Sequence, residues 1–171
     1  MERSITLGGT PFGLLGDEVK LGAVAPDFVV QTKEMKDCTR NDFAGKTLIL
    51  CAIPSVYTGV CDVEIRRFNE EATKLEDTVI LAVSMDLPMA QQSWCGAAGV
   101  ENVVLASDHR TGSFGMAFGC LIESGPFERM FSRAVFVVGP DGKLAHVEYV
   151  GEVGDLPDYG AALAATRALT S

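Results

Sequence analysis

Hydrophobic positions along the chain fall into two kinds of run. Predominantly apolar stretches of strand length occur at residues 28–32, 47–53, 78–84, 102–106 and 133–138, the one at 47–53 continuous, and a mixed apolar and polar one at 143–149. They are rich in Val and Ile and bounded by Gly, Pro or Asp, which predicts buried strands. The other kind is helical. Cys61, Ile65, Phe68, Ala72 and Leu75 recur at spacings of four, three, four and three, predicting one apolar face of a helix over 60–75. Pro88 opens a second helix that ends near Gly99, 112–118 reads as a short third, and an alanine-rich helix over 158–169 closes the chain. Residues 4–7 and 12–15 around Gly8-Gly9-Thr10-Pro11 read as an N-terminal β-hairpin, and Gly139-Pro140-Asp141-Gly142 marks a second hairpin turn. Strand and helix alternate through the middle, and a hairpin plus a helix ends the chain. The fold class is therefore α/β, with a mixed central sheet and helices on both faces.

One junction concentrates the chemistry. The strand at 47–53 runs into Pro54-Ser55-Val56-Tyr57-Thr58-Gly59-Val60-Cys61, where Pro54 removes a backbone donor and stops the strand. Cys61 is the first member of the helical stripe, so it falls in the first turn, where unpaired N–H groups and the helix dipole favour an anion. A free cysteine with a pKa of about 8.5 is only ~3% ionised at pH 7, whereas a helix N-terminus with a nearby cation lowers such a pKa to about 3.5–7.5. Thr58 is placed to cap the helix or to hydrogen-bond the sulfur. Taken alone, the segment leaves two readings of Cys61 open: an activated nucleophile, or a small buried hydrophobe behind a common N-cap. A thioredoxin-type dithiol is excluded at this turn, because Asp62-Val63-Glu64 follows with no second cysteine.

Composition narrows the classes. With 171 residues, 47% apolar and 22% charged, the chain suits one globular domain over 1–171. A net charge of −9 argues against nucleic acid or an anionic membrane as partner. No apolar run approaches about 18 residues. The N-terminus lacks a basic segment followed by a long apolar one, so a cytoplasmic location is expected. Five cysteines, with no CxxC pair, suggest neither a disulfide framework nor a zinc site. His109 and His146 are too few and too far apart for a metal site, so no metal is expected.

The run from Pro54 to Cys61, followed by Arg66-Arg67-Phe68-Asn69, closely resembles the peroxidatic motif of peroxiredoxins, in the bacterial thiol peroxidase subgroup. Similar landmarks are Phe43-Ala44-Gly45-Lys46, Asp86-Leu87-Pro88-Met89-Ala90-Gln91, Cys95-Gly96-Ala97, Arg133-Ala134-Val135 and Pro157-Asp158-Tyr159, in the expected order along nearly the whole chain. The resemblance implies a thioredoxin-like fold and a thiol-dependent peroxidase that reduces hydrogen peroxide and organic hydroperoxides. It implies that Cys61 attacks the peroxide, that Thr58 and Arg133 orient the oxygen, and that Pro54 shields the sulfur. Cys95 is implied as the resolving cysteine of a Cys61–Cys95 disulfide, reduced by thioredoxin. A homodimer is implied, and no metal, haem or flavin cofactor.

Beside these implications the residues have readings of their own. Cys95 lies in Trp94-Cys95-Gly96-Ala97-Ala98-Gly99, where small residues weaken a helix, and by itself it reads as a buried helix cysteine. Cysteines whose Cα atoms lie more than about 7 Å apart cannot be bridged without backbone movement. The turn at Cys61 and the helix at Cys95 are therefore expected to unwind in part during each cycle. Arg133 alone reads as a solvated strand end, with Arg129 a nearby competitor. Arg66 and Arg67 read as surface charges paired with Glu70 or Glu71. Cys51 reads as packing, Cys38 and Cys120 as sources of side reactions if exposed, and Tyr57 as part of the pocket mouth. Two rival functions stand beside the peroxidase: a peroxide sensor or holdase of the same fold, and a one-cysteine peroxidase with Cys95 inert.

Overall fold

A computed structural model describes residues 3–170. The first strands are β1 (Ser4–Leu7), β2 (Thr10–Leu15), β3 (Val29–Thr32), β4 (Asp37–Thr39) and β5 (Thr47–Ala52). Then come α1 (Gly59–Ala72), β6 (Thr78–Ser84), α2 (Pro88–Ala98), β7 (Val104–Ser107) and α3 (Ser113–Ala117). The chain finishes with β8 (Leu121–Ile122), β9 (Ala134–Val138), β10 (Leu144–Tyr149) and α4 (Tyr159–Thr170). A seven-stranded sheet runs in the order β10-β9-β5-β6-β7-β3-β4, and β1-β2-β8 form a smaller one. Strands β5, β6 and β7 are parallel, while the remaining pairs are antiparallel, so the sheet is mixed.

Strand β5 is central because it can be buried on both faces: all six of its residues are. Leu48, Leu50 and Ala52 face a cluster containing Phe114, Phe118, Phe131 and Phe136. Ile49 and Cys51 face the opposite way, toward Cys61, Ile65, Phe68, Trp94, Cys95 and Leu163. Helices α1, α2 and α4 thus cover one face and the short α3 the other. Burying each large apolar side chain contributes roughly 1.5–3 kcal/mol, which anchors α1 to this face of the sheet through Ile65 and Phe68. The register of Cys61 follows from that anchoring.

Boundaries differ from the sequence pattern where short-range contacts intervene. Helix α1 stops at Ala72, and Lys74 and Leu75 donate to the carbonyls of Glu71 and Ala72 at 3.0 and 3.2 Å, a tighter closing turn that keeps Leu75 against the same cluster. Strand β7 starts at Val104, two residues later than its apolar run, and β4 and β8 are too short to leave a periodic signal. The predicted hairpin is present as β1–β2. Strand β8 pairs with β2 through Leu14↔Ile122 and Leu15↔Leu121, which holds the hairpin beside the Cys61 turn. Among the described residues, no helix is long and apolar enough to cross a membrane.

Candidate active site

Past β5, Ile53 still pairs with Val83, its N–H donating at 3.0 Å. Pro54 cannot continue the ladder, and the chain turns. Thr58 N–H and Thr58 Oγ1 both donate to the Ser55 carbonyl at 3.3 Å. The same hydroxyl accepts the Cys61 N–H at 3.3 Å, making Thr58 the N-cap of α1. These contacts make Thr58 the residue that fixes the turn presenting Cys61.

The Cys61 side chain is fully buried and Sγ faces Arg133, whose Nη1 and Nη2 each approach it to 3.4 Å. Arg133 is 1% exposed, which rules out the solvated strand end that its position alone suggested. Nε and Nη2 donate to the Val153 carbonyl at 3.3 and 3.2 Å, and Nη1 pairs with Glu64. Glu64 is one helical turn beyond Cys61 and has no solvent exposure; its Oε1 is buried without a hydrogen-bond partner. The arrangement sets one cation against two acidic groups.

Burial alone would pull the Arg133 pKa down, but the charges of Glu64 and Cys61 more than offset it and hold it above its ordinary value. For Glu64, burial pushes the carboxyl up to about 7 against the pull of Arg133. A unit charge pair at about 4 Å is worth ~4 kcal/mol at an effective dielectric of 20, against about 1 kcal/mol for a neutral hydrogen bond. The charge on Arg133 therefore matters more to Cys61 than the hydrogen-bond geometry does.

A cavity of about 240 Å³ opens onto this group. Pro54, Thr58 and Arg133 line it together with Val60 and Val153, and the hairpin adds Ile5, Leu7 and Phe12. Ile122, Phe127 and Met130 complete the wall, with Phe12 and Phe127 packed edge to face at 5.9 Å. Among the described residues, Thr58 and Arg133 are the only polar side chains of the lining.

Cys95 is placed differently. It shares the apolar cluster of Cys61, but its thiol donates to the Val100 carbonyl at 3.3 Å and it lines a separate depression with Lys33, Gln92, Gly96 and Gly99. Burial pushes its thiol pKa up. All five cysteines are free and buried. Burial holds the thiols of Cys38, at about 11, and of Cys51 and Cys120 above their ordinary value, so these three are packing residues without exposed reactive sulfur.

Several neighbours depart from expectation. Tyr57 is exposed and reaches the Ala90 carbonyl at 3.3 Å, away from the cavity lining. Arg66 pairs backward with Asp62 at 2.9 Å and donates to the Ala98 carbonyl at 3.1 Å, because its side chain crosses toward α2; Arg67 does reach Glu71, at 3.9 Å. Arg129 lies beside Gly112 and outside the cavity lining. Among the described residues, no cluster of three or more His, Cys, Asp or Glu side chains fits a metal ion. Glu64 escaped the sequence reading, although a carboxylate three residues after Cys61 falls inside the apolar stripe.

A family model described as Redoxin matches residues 20–163. The chain is 47% identical over 165 residues to a thiol peroxidase of Bacillus subtilis, covering 96% of this chain and 97% of that protein. It is 46% identical over 165 residues to one of Halalkalibacterium halodurans, covering 96% and 98%. The crystal structure of a peroxiredoxin-like protein from Aquifex aeolicus superposes with a TM-score of 0.93 at 34% identity, covering 99% of this chain and 98% of that one. With a buried cysteine held against an arginine at a helix start, and this kinship along the whole fold, the chain belongs to the peroxiredoxins, in the thiol peroxidase group.

Proposed function

We propose that Cys61 is the peroxidatic residue of a two-cysteine cycle in which Cys95 resolves and an external dithiol of the thioredoxin type reduces. The observation that carries this reading is the Arg133 fork on Cys61 Sγ, at 3.4 Å from both terminal nitrogens, beside an otherwise apolar cavity. The guanidinium favours the thiolate and is placed to hold the peroxide oxygens. The thiolate attacks the terminal oxygen of ROOH, the O–O bond breaks, and RO⁻ leaves and takes a proton to become ROH. Sulfur has lost two electrons and is a sulfenic acid. The Cys95 thiol then attacks Cys61 Sγ, water leaves, and the disulfide forms. Two electrons from the external dithiol restore both thiols by exchange.

Pro54, in the cavity wall, is assigned the shielding of the sulfur from bulk water, and Thr58 holds the turn that presents it. The apolar cavity supports organic hydroperoxides as substrates alongside hydrogen peroxide, since a buried alkyl chain gains roughly 0.8 kcal/mol per CH₂. The test is turnover with thioredoxin, thioredoxin reductase and NADPH. Wild type should consume excess peroxide, C61S should be inactive, and C95S should lose thioredoxin-supported turnover while still reacting once with peroxide. Unchanged turnover in C95S would replace this cycle with a one-cysteine mechanism. A single oxidation followed by transfer of the disulfide to one protein target would favour a sensor.

A further inference from the structure

The landmark Asp86-Leu87-Pro88 between β6 and α2 takes no part in the cycle above, yet Asp86 is hydrogen-bonded to the Cys61 turn. Its Oδ1 accepts the Ser55 hydroxyl at 2.8 Å, and its Oδ2 accepts both the Val56 N–H at 2.9 Å and the Ser84 hydroxyl at 2.7 Å. Ser84 in turn accepts from Gln91 Nε2 at 3.1 Å, and the same nitrogen donates to the Ala106 carbonyl at 2.8 Å. Ser84 and Gln91 are fully buried. The network therefore runs from β7 through α2 and β6 to the turn before α1. From there it continues toward the sulfur: Ser55 accepts the Thr58 hydroxyl proton, which leaves the Thr58 oxygen free to cap Cys61 N–H.

We propose that Asp86 is a positioning residue that latches the Cys61 turn to the start of the Cys95 helix, holding the attack-ready form, and that breaking this latch is part of the opening that lets the two sulfurs meet. The proposal rests on the two-cysteine cycle above. A carboxylate suits the role. Three donors converge on it from two segments, and hydrogen bonds to a charged acceptor are the stronger kind. The tie is also local. It joins the 54–58 turn to the β6–α2 connection through hydrogen bonds to one carboxylate, none of them part of the strand ladder, so it can break while the sheet stays intact. Retaining the latch favours reaction of Cys61 with peroxide. Losing it favours formation of the disulfide.

The two steps separate in stopped-flow kinetics under excess peroxide, read through Trp94, the only tryptophan and the neighbour of Cys95. The first phase scales with peroxide concentration and the second does not. In D86A the first rate constant should fall about 10- to 100-fold through misplacement of the reacting sulfur. The second should rise about tenfold, the equivalent of one charged hydrogen bond released from the closed form, and the sulfinic acid fraction at high peroxide should drop. S55A, which removes the Oδ1 partner together with the acceptor of the exposed Tyr57 N–H at 3.2 Å and leaves the two Oδ2 bonds in place, should move both rates the same way by a smaller factor; it also serves if D86A folds poorly. A merely structural role predicts slowing of both phases in step with lost thermal stability, and that result, or unchanged phases in both variants, overturns the latch. A wild-type protein that forms no Cys61–Cys95 link refutes the cycle and the latch together. A link that forms normally in wild type, with unaltered phases in the variants, refutes the latch alone.

Discussion

Arg133 carries more of the site than any other side chain, because it is buried, bidentate toward Sγ and tied on its remaining sides to Glu64 and the Val153 carbonyl. A lysine retains the charge but not the fork. R133K should lower kcat/KM for peroxide by about 10²- to 10³-fold, the usual cost of one preorganised donor at a reacting oxygen, and stopped-flow oxidation measures it. Glu64 makes a different prediction. Its carboxyl is raised to about 7 in the fold by burial, against an ordinary value of 4.5. The folded state therefore keeps a proton that the unfolded state releases, and this contribution to stability is full below about 4.5 and lost as pH rises to about 7. Urea midpoints should fall across that window in wild type relative to E64Q, and parallel profiles would contradict the assignment. Spacing made Cys61 legible as a first-turn cysteine and Thr58 as its cap, whereas Cys95 and Arg133 stood out only through the resemblance, since their own surroundings read as a buried helix cysteine and a strand end. Glu64 lay in the same stripe, but fully buried glutamate is so uncommon that the surface reading wins until its partner is seen. Asp86 was legible as a landmark only, since two of its three partners, Ser55 and Val56, come from a segment remote in sequence.

At the scale of elements, α1 and α2 hold the two cysteines of the proposed cycle in one apolar cluster, yet each sulfur is committed locally, Cys61 to Arg133 and Cys95 to the Val100 carbonyl. Forming the proposed bond between them breaks both commitments, and the first turn of α1 or the last turns of α2 are expected to give way as it forms. Helix α2 is suited to this: Gly96 and Gly99 flank its end, and Gly99 closes it at φ 69°. Hydrogen exchange should show amide protection in the first turn of α1 and in residues 94–99 falling by about 10²-fold or more in the disulfide form, with β5 and β9 unchanged. Equal protection in both forms would contradict local unwinding. The long strands and α1 were legible because each is a sustained periodic run. The placing of β3 beside β7 was not, because it depends on pairing between residues remote in sequence, Gln31↔Ser107 and Thr32↔Ala106.

Across the whole molecule, the cavity joins parts remote in sequence: the hairpin at the N-terminus, the Cys61 turn, residues 122–130 and Val153. Its wall is apolar, so substrate selection is a property of the assembled fold. Replacing Phe127 by alanine should reduce kcat/KM for long-chain alkyl hydroperoxides about tenfold while leaving hydrogen peroxide nearly unaffected, the scale expected for one lost apolar wall; paired steady-state assays measure the ratio. The composition announced an apolar core but not this cavity, whose walls exist only once β8 seats the hairpin. The account as a whole requires that one oxidising equivalent at Cys61 ends as a bond to Cys95. The most direct measurement is peptide mass mapping after a single equivalent of peroxide. A Cys61–Cys95 cross-link with Cys38, Cys51 and Cys120 still reduced is the predicted result, whereas sulfenic or sulfinic acid persisting at Cys61 beside a free Cys95 would contradict it.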